Sequence, residues 1–294
     1  MRKVGIVTDS HSGMTQQEAS RLGVWVLPMP FFFGQECFHE DIGITRDQFF
    51  DRIEAGEKVS TTQPSPEEVM EIWDRALSDC EQIIYIPISR GLSGSCNTAT
   101  LLAGEEKYEG KVFVADLGRI SVPLVCSIYD ALEMEKKGMD AEQIYKVICD
   151  HKDDFDIYVG VDDISYLQRG GRISGTAAFI GKMLNIKPML HLHSGLLEKS
   201  RECRGNVKLH KEMIGAIKAE METGYPEEMK EGRVQVIAAA CDRREKADAW
   251  KEKVQSAFPD HEVIYGDLSL GIACHLGPGG IGVGFSVTPP EAVR

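Results

Sequence analysis

Short, unbroken apolar runs that each end in a polar loop and lead into an amphipathic tract constrain this chain more than any other feature. Val4 to Val7 stops at Thr8-Asp9-Ser10, and a helical tract from Thr15 to Leu22 follows. The succession returns with Val24 to Leu27, a helix that opens at Thr45 and ends near Gly56, and a helix from Pro66 to Leu77. This last one gathers Val69, Ile72, Trp73, Ala76 and Leu77 on one face. Gln82 to Pro87 and Lys111 to Ala115 read as strands; Asn97 to Ala103, Val125 to Lys136 and Ala141 to His151 read as helices. A strand covered on both faces is apolar throughout rather than in alternation. The pattern therefore predicts an α/β fold with a mainly parallel, Rossmann-like sheet and helices on both of its faces.

Beyond residue 155 the character changes. Asp156 to Val161, Met189 to Leu192 and Val234 to Ala240 are strands separated by longer helical tracts, among them Lys208 to Met221 and Glu245 to Ala257. With 294 residues the chain reaches the length at which single cores stop growing, roughly 250–300 residues. Two domains are expected: an N-terminal α/β domain over 1–155, and a second α/β domain over 156–294 with a mixed or antiparallel sheet. No Pro/Gly-rich linker marks the junction, so the two are expected to share a substantial interface.

A formal charge of −13 repels phosphodiester backbones and anionic membrane surfaces, which argues against nucleic-acid binding. Any anionic ligand must then be captured by local amides, hydroxyls and a few arginines. The eight cysteines form no CxxC and no zinc spacing, so no metal site is expected and the thiols read as reduced. The four apolar residues after Met1-Arg2-Lys3 are too few for a signal peptide, and no run approaches a membrane span. A cytoplasmic protein without integral membrane association is expected.

Four loops carry the candidate chemistry, three of them where a strand ends. In Thr8-Asp9-Ser10 the aspartate either braces a neighbouring loop and caps a helix, or binds a metal or acts as a base. Ser60-Thr61-Thr62-Gln63-Pro64-Ser65-Pro66 puts three hydroxyls before a helix in which Ser65 is the cap and Pro66 begins the first turn. Capping does not account for Thr61 and Thr62. Ser89-Arg90-Gly91-Leu92-Ser93-Gly94-Ser95 lacks the phosphate-loop lysine, the dinucleotide spacing and the nucleophile-elbow spacing. It reads as a neutral oxyanion cradle built on Ser93 and Ser95. The fourth, Gly271 to Phe285, is dense in glycine and holds His275, either a structural residue or a donor to an anion. Arg169 and Arg172 flank a Gly-Gly turn that suits carboxylate or phosphate recognition. The tract behind them, from Ala177 to Ile186, is apolar almost all round: either a buried helix or the lining of an apolar cavity.

In this order the segments resemble the DegV family: Thr8-Asp9-Ser10, Thr61-Thr62-Gln63-Pro64-Ser65, Ser89 to Ser95, Leu167 to Ser174, Asn185 to Pro188, and His275-Leu276-Gly277-Pro278-Gly279. The resemblance spans nearly the whole chain. It implies a non-enzymatic protein that holds one long-chain fatty acid between its two domains and needs no cofactor. Thr61, Thr62, Ser93 and Ser95 would bind the carboxylate with His275 nearby; Arg169, Arg172 and Arg204 would stand near the portal. It also implies a partner, an ATP-dependent fatty acid kinase to which the carboxylate is presented for acyl-phosphate formation. About fourteen buried methylenes at roughly 0.8 kcal/mol each supply on the order of 10 kcal/mol gross, enough to outweigh the charge repulsion. The chain departs from the family pattern at Leu276, where a threonine is usual, and at Asp116-Leu117-Gly118-Arg119-Ile120-Ser121-Val122-Pro123, where Asp-Ser-x-x-x-Ser-x-Gly is usual. The alternative is an enzyme on a small anionic or phosphorylated substrate with Asp9 or His275 as acid or base. That reading lacks an identifiable nucleophile paired with its base.

Overall fold

A computed structural model describes residues 1–173, 186–193 and 195–293, so the apolar tract from Ala177 to Leu184, Ser174 and Asn185 lie outside the described residues. In chain order the strands are β1 (Arg2–Asp9), β2 (Val24–Leu27), β3 (Pro30–Phe33), β4 (Glu36–His39), β5 (Val59–Thr61), β6 (Cys80–Ile86) and β7 (Val112–Val114). The later part adds β8 (Phe155–Gly160), β9 (Ile186–His193), β10 (Leu196–Arg204), β11 (Val234–Cys241), β12 (Ile264–Asp267) and β13 (Gly280–Val287).

A four-stranded sheet in the order β2-β1-β6-β7 is parallel throughout. Helices cover both faces, which is why its strands are unbroken in apolar character. Val4, Ile6, Ile84 and Ile86 meet the helices Ser121–Lys136 and Ala141–Asp150 on one side. Val7, Ile83 and Tyr85 meet Pro66–Asp79 and Ser95–Ala103 on the other. Ser65 caps the first of these with a capping box closed by Glu68, and Pro66 stands in its first turn.

The six-stranded sheet runs β10-β9-β8-β13-β11-β12 and is mixed: only β11 and β12 pair in parallel. A third sheet, β4-β3-β5, is antiparallel and has no counterpart in the sequence reading. It carries Phe31 and Phe33, which join Phe49 and Phe50 of the helix Arg46–Glu54 in one cluster with Ile157, Leu190, Ile237 and Ile272 of the later part. Early and late parts of the chain thus share one continuous apolar core.

The glycine-dense segment is not the loop expected from its sequence. Gly271 to Leu276 belongs to the helix Leu270–Leu276, and Gly280 to Phe285 lies in β13, an interior strand of the mixed sheet. Two guanidinium groups tie early and late parts together. Arg46 donates to the carbonyls of Asp242, Leu268 and Ala240. The buried Arg119 donates to Ser127 and Ser286 and to the carbonyls of Pro123, His151 and Lys152.

Candidate ligand-binding site

A cavity of about 310 Å³ lies between the C-terminal edge of the parallel sheet and the inner face of the mixed sheet. It is at the small end of the usual range for ligand sites, roughly 300–1,000 Å³. Its apolar wall comes from Ile157 and Val159 of β8, Leu192 of β9, Leu197 of β10 and Ile281 of β13. The period of two along β8 explains the wall: Ile157 and Val159 face the cavity, while Tyr158 turns to the helix on the far side.

At the polar end stand Thr61, Thr62, Ser93 and His275, brought from β5, the turn after it, the turn after β6 and the helix Leu270–Leu276. Thr61 Oγ1 lies 2.9 Å from His275 Nε2. His275 Nδ1 is buried and has no hydrogen-bond partner among the described residues. Burial, with Arg172 and His11 nearby, pushes the His275 pKa down to about 4, so the ring is neutral at pH 7. A neutral imidazole carries one N–H. Placing it on Nε2 satisfies Thr61 Oγ1 and leaves the orphaned Nδ1 as a bare acceptor, which costs less than an orphaned donor. The Thr61 hydroxyl proton is then free for a ligand. Gly170 allows this placement: a Cβ there would stand 2.1 Å from His275 Nδ1.

Ser93 Oγ accepts the Ser95 amide at 3.2 Å and lies 3.0 Å from Ser95 Oγ. If the Ser95 hydroxyl donates as its amide does, the Ser93 proton is directed elsewhere. Ser95 itself is buried at the start of its helix and stands behind Ser93, away from the cavity lining. Thr62 is exposed at the rim. Leu276 is buried and adds apolar lining where the family pattern has a hydroxyl.

Of the three arginines, Arg172 lines the cavity and donates to the carbonyl of Leu92 at 3.4 Å, bridging the two rims. Arg169 lies over the Tyr166 ring and donates to Ser165, and Arg204 ends β10; neither lines the cavity. Asp9 is fully buried and away from the lining. Its oxygens accept the amides of His11 at 2.9 Å and Ile88 at 2.8 Å, so it braces the ends of β1 and β6. These contacts are those of the brace reading of Thr8-Asp9-Ser10.

Sequence reasoning missed His11 and Ser121, both of which line the cavity. Their signals were adjacency to Thr8-Asp9-Ser10 and a serine two residues before Pro123 at a helix start. It also missed Glu40, which accepts the amides of Leu270 at 2.7 Å and Gly271 at 3.4 Å and so caps the helix that carries His275.

Burial pushes the Glu40 pKa up to about 7 from an ordinary 4.5. A carboxyl raised in this way stabilises the fold most below pH 4.5, and that contribution is lost as the pH rises to about 7. His275 acts in the opposite sense, losing stability as the pH falls from 6.5 to about 4, so wild-type stability alone conceals both. The difference between Glu40→Gln and wild type isolates the first. The variant is expected to gain on the wild type by on the order of 3 kcal/mol as the pH rises from about 4.5 to 7, read by urea unfolding at each pH. A difference independent of pH would refute the assignment.

Among the described residues no group of three or more His, Cys, Asp and Glu side chains is placed to hold a metal ion, and no helix is long and apolar enough to cross a membrane.

The profile of DegV, described as an uncharacterised protein of the DegV family, matches residues 3–288. A DegV domain-containing protein of Deinococcus radiodurans is 29% identical over 283 residues, covering 95% of this chain and 97% of that protein. One from Halalkalibacterium halodurans is 28% identical over 289 residues, covering 98% and 99%. Among solved structures, a DegV-family protein from Thermus thermophilus described by its fatty-acid binding superposes with a TM-score of 0.85 at 28% identity, covering 97% of this chain and 99% of that one. A stearic-acid-binding protein from Eubacterium ventriosum has the same fold, with a TM-score of 0.84 at 21% identity over 97% and 98% of the two chains.

Proposed function

Since the chain belongs to the DegV family, we propose that it is a lipid-binding protein that sequesters one long-chain fatty acid in the cavity between an N-terminal domain, 1–155, and a C-terminal domain, 156–294. The observation that carries the reading is the make-up of the cavity lining: the hydroxyls of Thr61, Thr62 and Ser93 beside His275, and a broad aliphatic wall of Ile157, Val159, Leu192, Leu197 and Ile281. Thr61, Thr62 and Ser93 hold the carboxylate, with Ser95 and His275 as positioning residues that fix which way the Ser93 and Thr61 protons point. Neutral donors satisfy a buried carboxylate without bringing in a second buried charge. The fatty-acid binding of the Thermus thermophilus relative supports the same ligand class.

The protein acts as a carrier and not as a catalyst. Its downstream step is presentation of the carboxylate to an ATP-dependent fatty acid kinase, with Arg172 at the cavity rim and Arg169 and Arg204 on the exposed surface available for the acyl phosphate or the partner.

Mass spectrometry of protein purified without added lipid and then denatured should release a long-chain acid in near-equimolar amount. Ligand-free spectra from several independent preparations would overturn the proposal.

A further inference from the structure

Beside Thr61, Ser93 and His275 the cavity lining holds two further polar side chains, Ser121 and His11. Ser121 begins the sixteen-residue helix Ser121–Lys136, lines the cavity and is only 2% exposed, yet its Oγ has no hydrogen-bond partner among the described residues. Its φ is +56°, a left-handed conformation that side chains other than glycine rarely adopt, held at a helix start with no side-chain cap. Strain of this kind persists where the surroundings fix it, and it clusters at binding sites. Because Ser121 is the first helical residue, the amides of the first turn lack intrahelical acceptors and face outward with the positive end of the helix dipole.

His11 lines the same cavity and is 7% exposed. Its Nδ1 lies 3.5 Å from Asp9 Oδ1 and is buried without a hydrogen-bond partner among the described residues. Its Nε2 packs against Gly271, where a Cβ would approach it to 2.8 Å. This part of the lining therefore combines an imidazole with a hydroxyl that can donate or accept. It is a poor place for a carboxylate, since Asp9, fully buried and accepting two amides, stands directly behind His11. A neutral group that donates one hydrogen bond and accepts another fits, and an alcohol is that group.

We infer that His11 and Ser121 form a second polar subsite that receives a hydroxyl carried on the acyl chain, so that the chain takes hydroxylated long-chain acids in preference to plain ones. The inference rests on the fatty-acid reading above. An apolar chain passing this point would leave the Ser121 hydroxyl buried and unpaired, a cost that a correctly placed ligand hydroxyl removes.

The test is competitive binding of octadecanoic acid against a panel of hydroxyoctadecanoic acids differing in hydroxyl position, on delipidated full-length protein. At least one isomer should bind roughly tenfold more tightly than the plain acid. In Ser121→Ala the ratio of the two dissociation constants should fall to about one. Ser121→Gly, which removes the hydroxyl and tolerates the left-handed backbone, should give the same collapse and guards against a folding artefact. Three results would overturn the inference. A wild-type ratio of one for every isomer means the subsite holds only water. Equal weakening of plain and hydroxylated acids in both variants makes Ser121 a carboxylate ligand. Failure of the wild type to bind any acid removes the fatty-acid reading itself.

Discussion

Replacing Arg119 with alanine is expected to lower the unfolding free energy by about 3–5 kcal/mol, among the largest effects available to a single substitution in a protein of this kind. The guanidinium donates to Ser127 Oγ at 3.0 Å, Ser286 Oγ at 2.9 Å and three backbone carbonyls, and it lies 4.7 Å from the centre of the Phe155 ring. Removing it strands those acceptors in a region that water does not reach, and it leaves a void beside Phe155. Arg119→Met, which keeps much of the volume but none of the donors, should recover only part of the loss. Urea unfolding measures both; a loss below about 1 kcal/mol in Arg119→Ala would show that the contacts merely accompany the fold.

The second large effect concerns the ligand. Thr61→Val and Ser93→Ala each remove one of the hydroxyls proposed to hold the carboxylate while keeping the approximate shape of the side chain. A hydrogen bond to a charged group contributes about 1.5–3 kcal/mol, so each variant should weaken fatty-acid binding roughly 10- to 150-fold. The two act on one group, so the double variant is expected to fall short of the product of the singles. Titration of delipidated protein with a saturated acid reads the effect. Unchanged affinity in both single variants would place the carboxylate elsewhere in the cavity.

What could be read from the sequence follows a physical line. The parallel sheet was legible because burial on both faces leaves an unbroken apolar record, as in Val4 to Val7 and Ile83 to Ile86. β13 was not, because glycine is rare in strands and three of them alternate along it. Tertiary crowding explains them: at Gly284 a Cβ would stand 2.1 Å from the Asp156 carbonyl oxygen. The small sheet β4-β3-β5 escaped notice because its strands span only three or four residues and leave little periodicity to detect.

The site divides in the same way. Thr61, Thr62, Ser93 and His275 stood out as hydroxyls and an imidazole in segments with no other evident purpose, and the cavity gathers them. His11, Glu40 and Ser121 did not, since their roles arise from a left-handed dihedral, a cap contributed across 230 positions of chain, and the packing of one loop on another. No local pattern encodes such relations.

On the proposed function the head-group hydroxyls come from β5, the turn after it and the loop after β6, steadied by the short helix before β13, whereas the aliphatic wall comes from β8, β9, β10 and β13. Recognition of what every fatty acid shares is thereby separated from recognition of what distinguishes one from another. Mutations in the wall can retune chain length or shape while the carboxylate clamp stays untouched, so paralogues of this architecture can diversify their cargo without reinventing the grip.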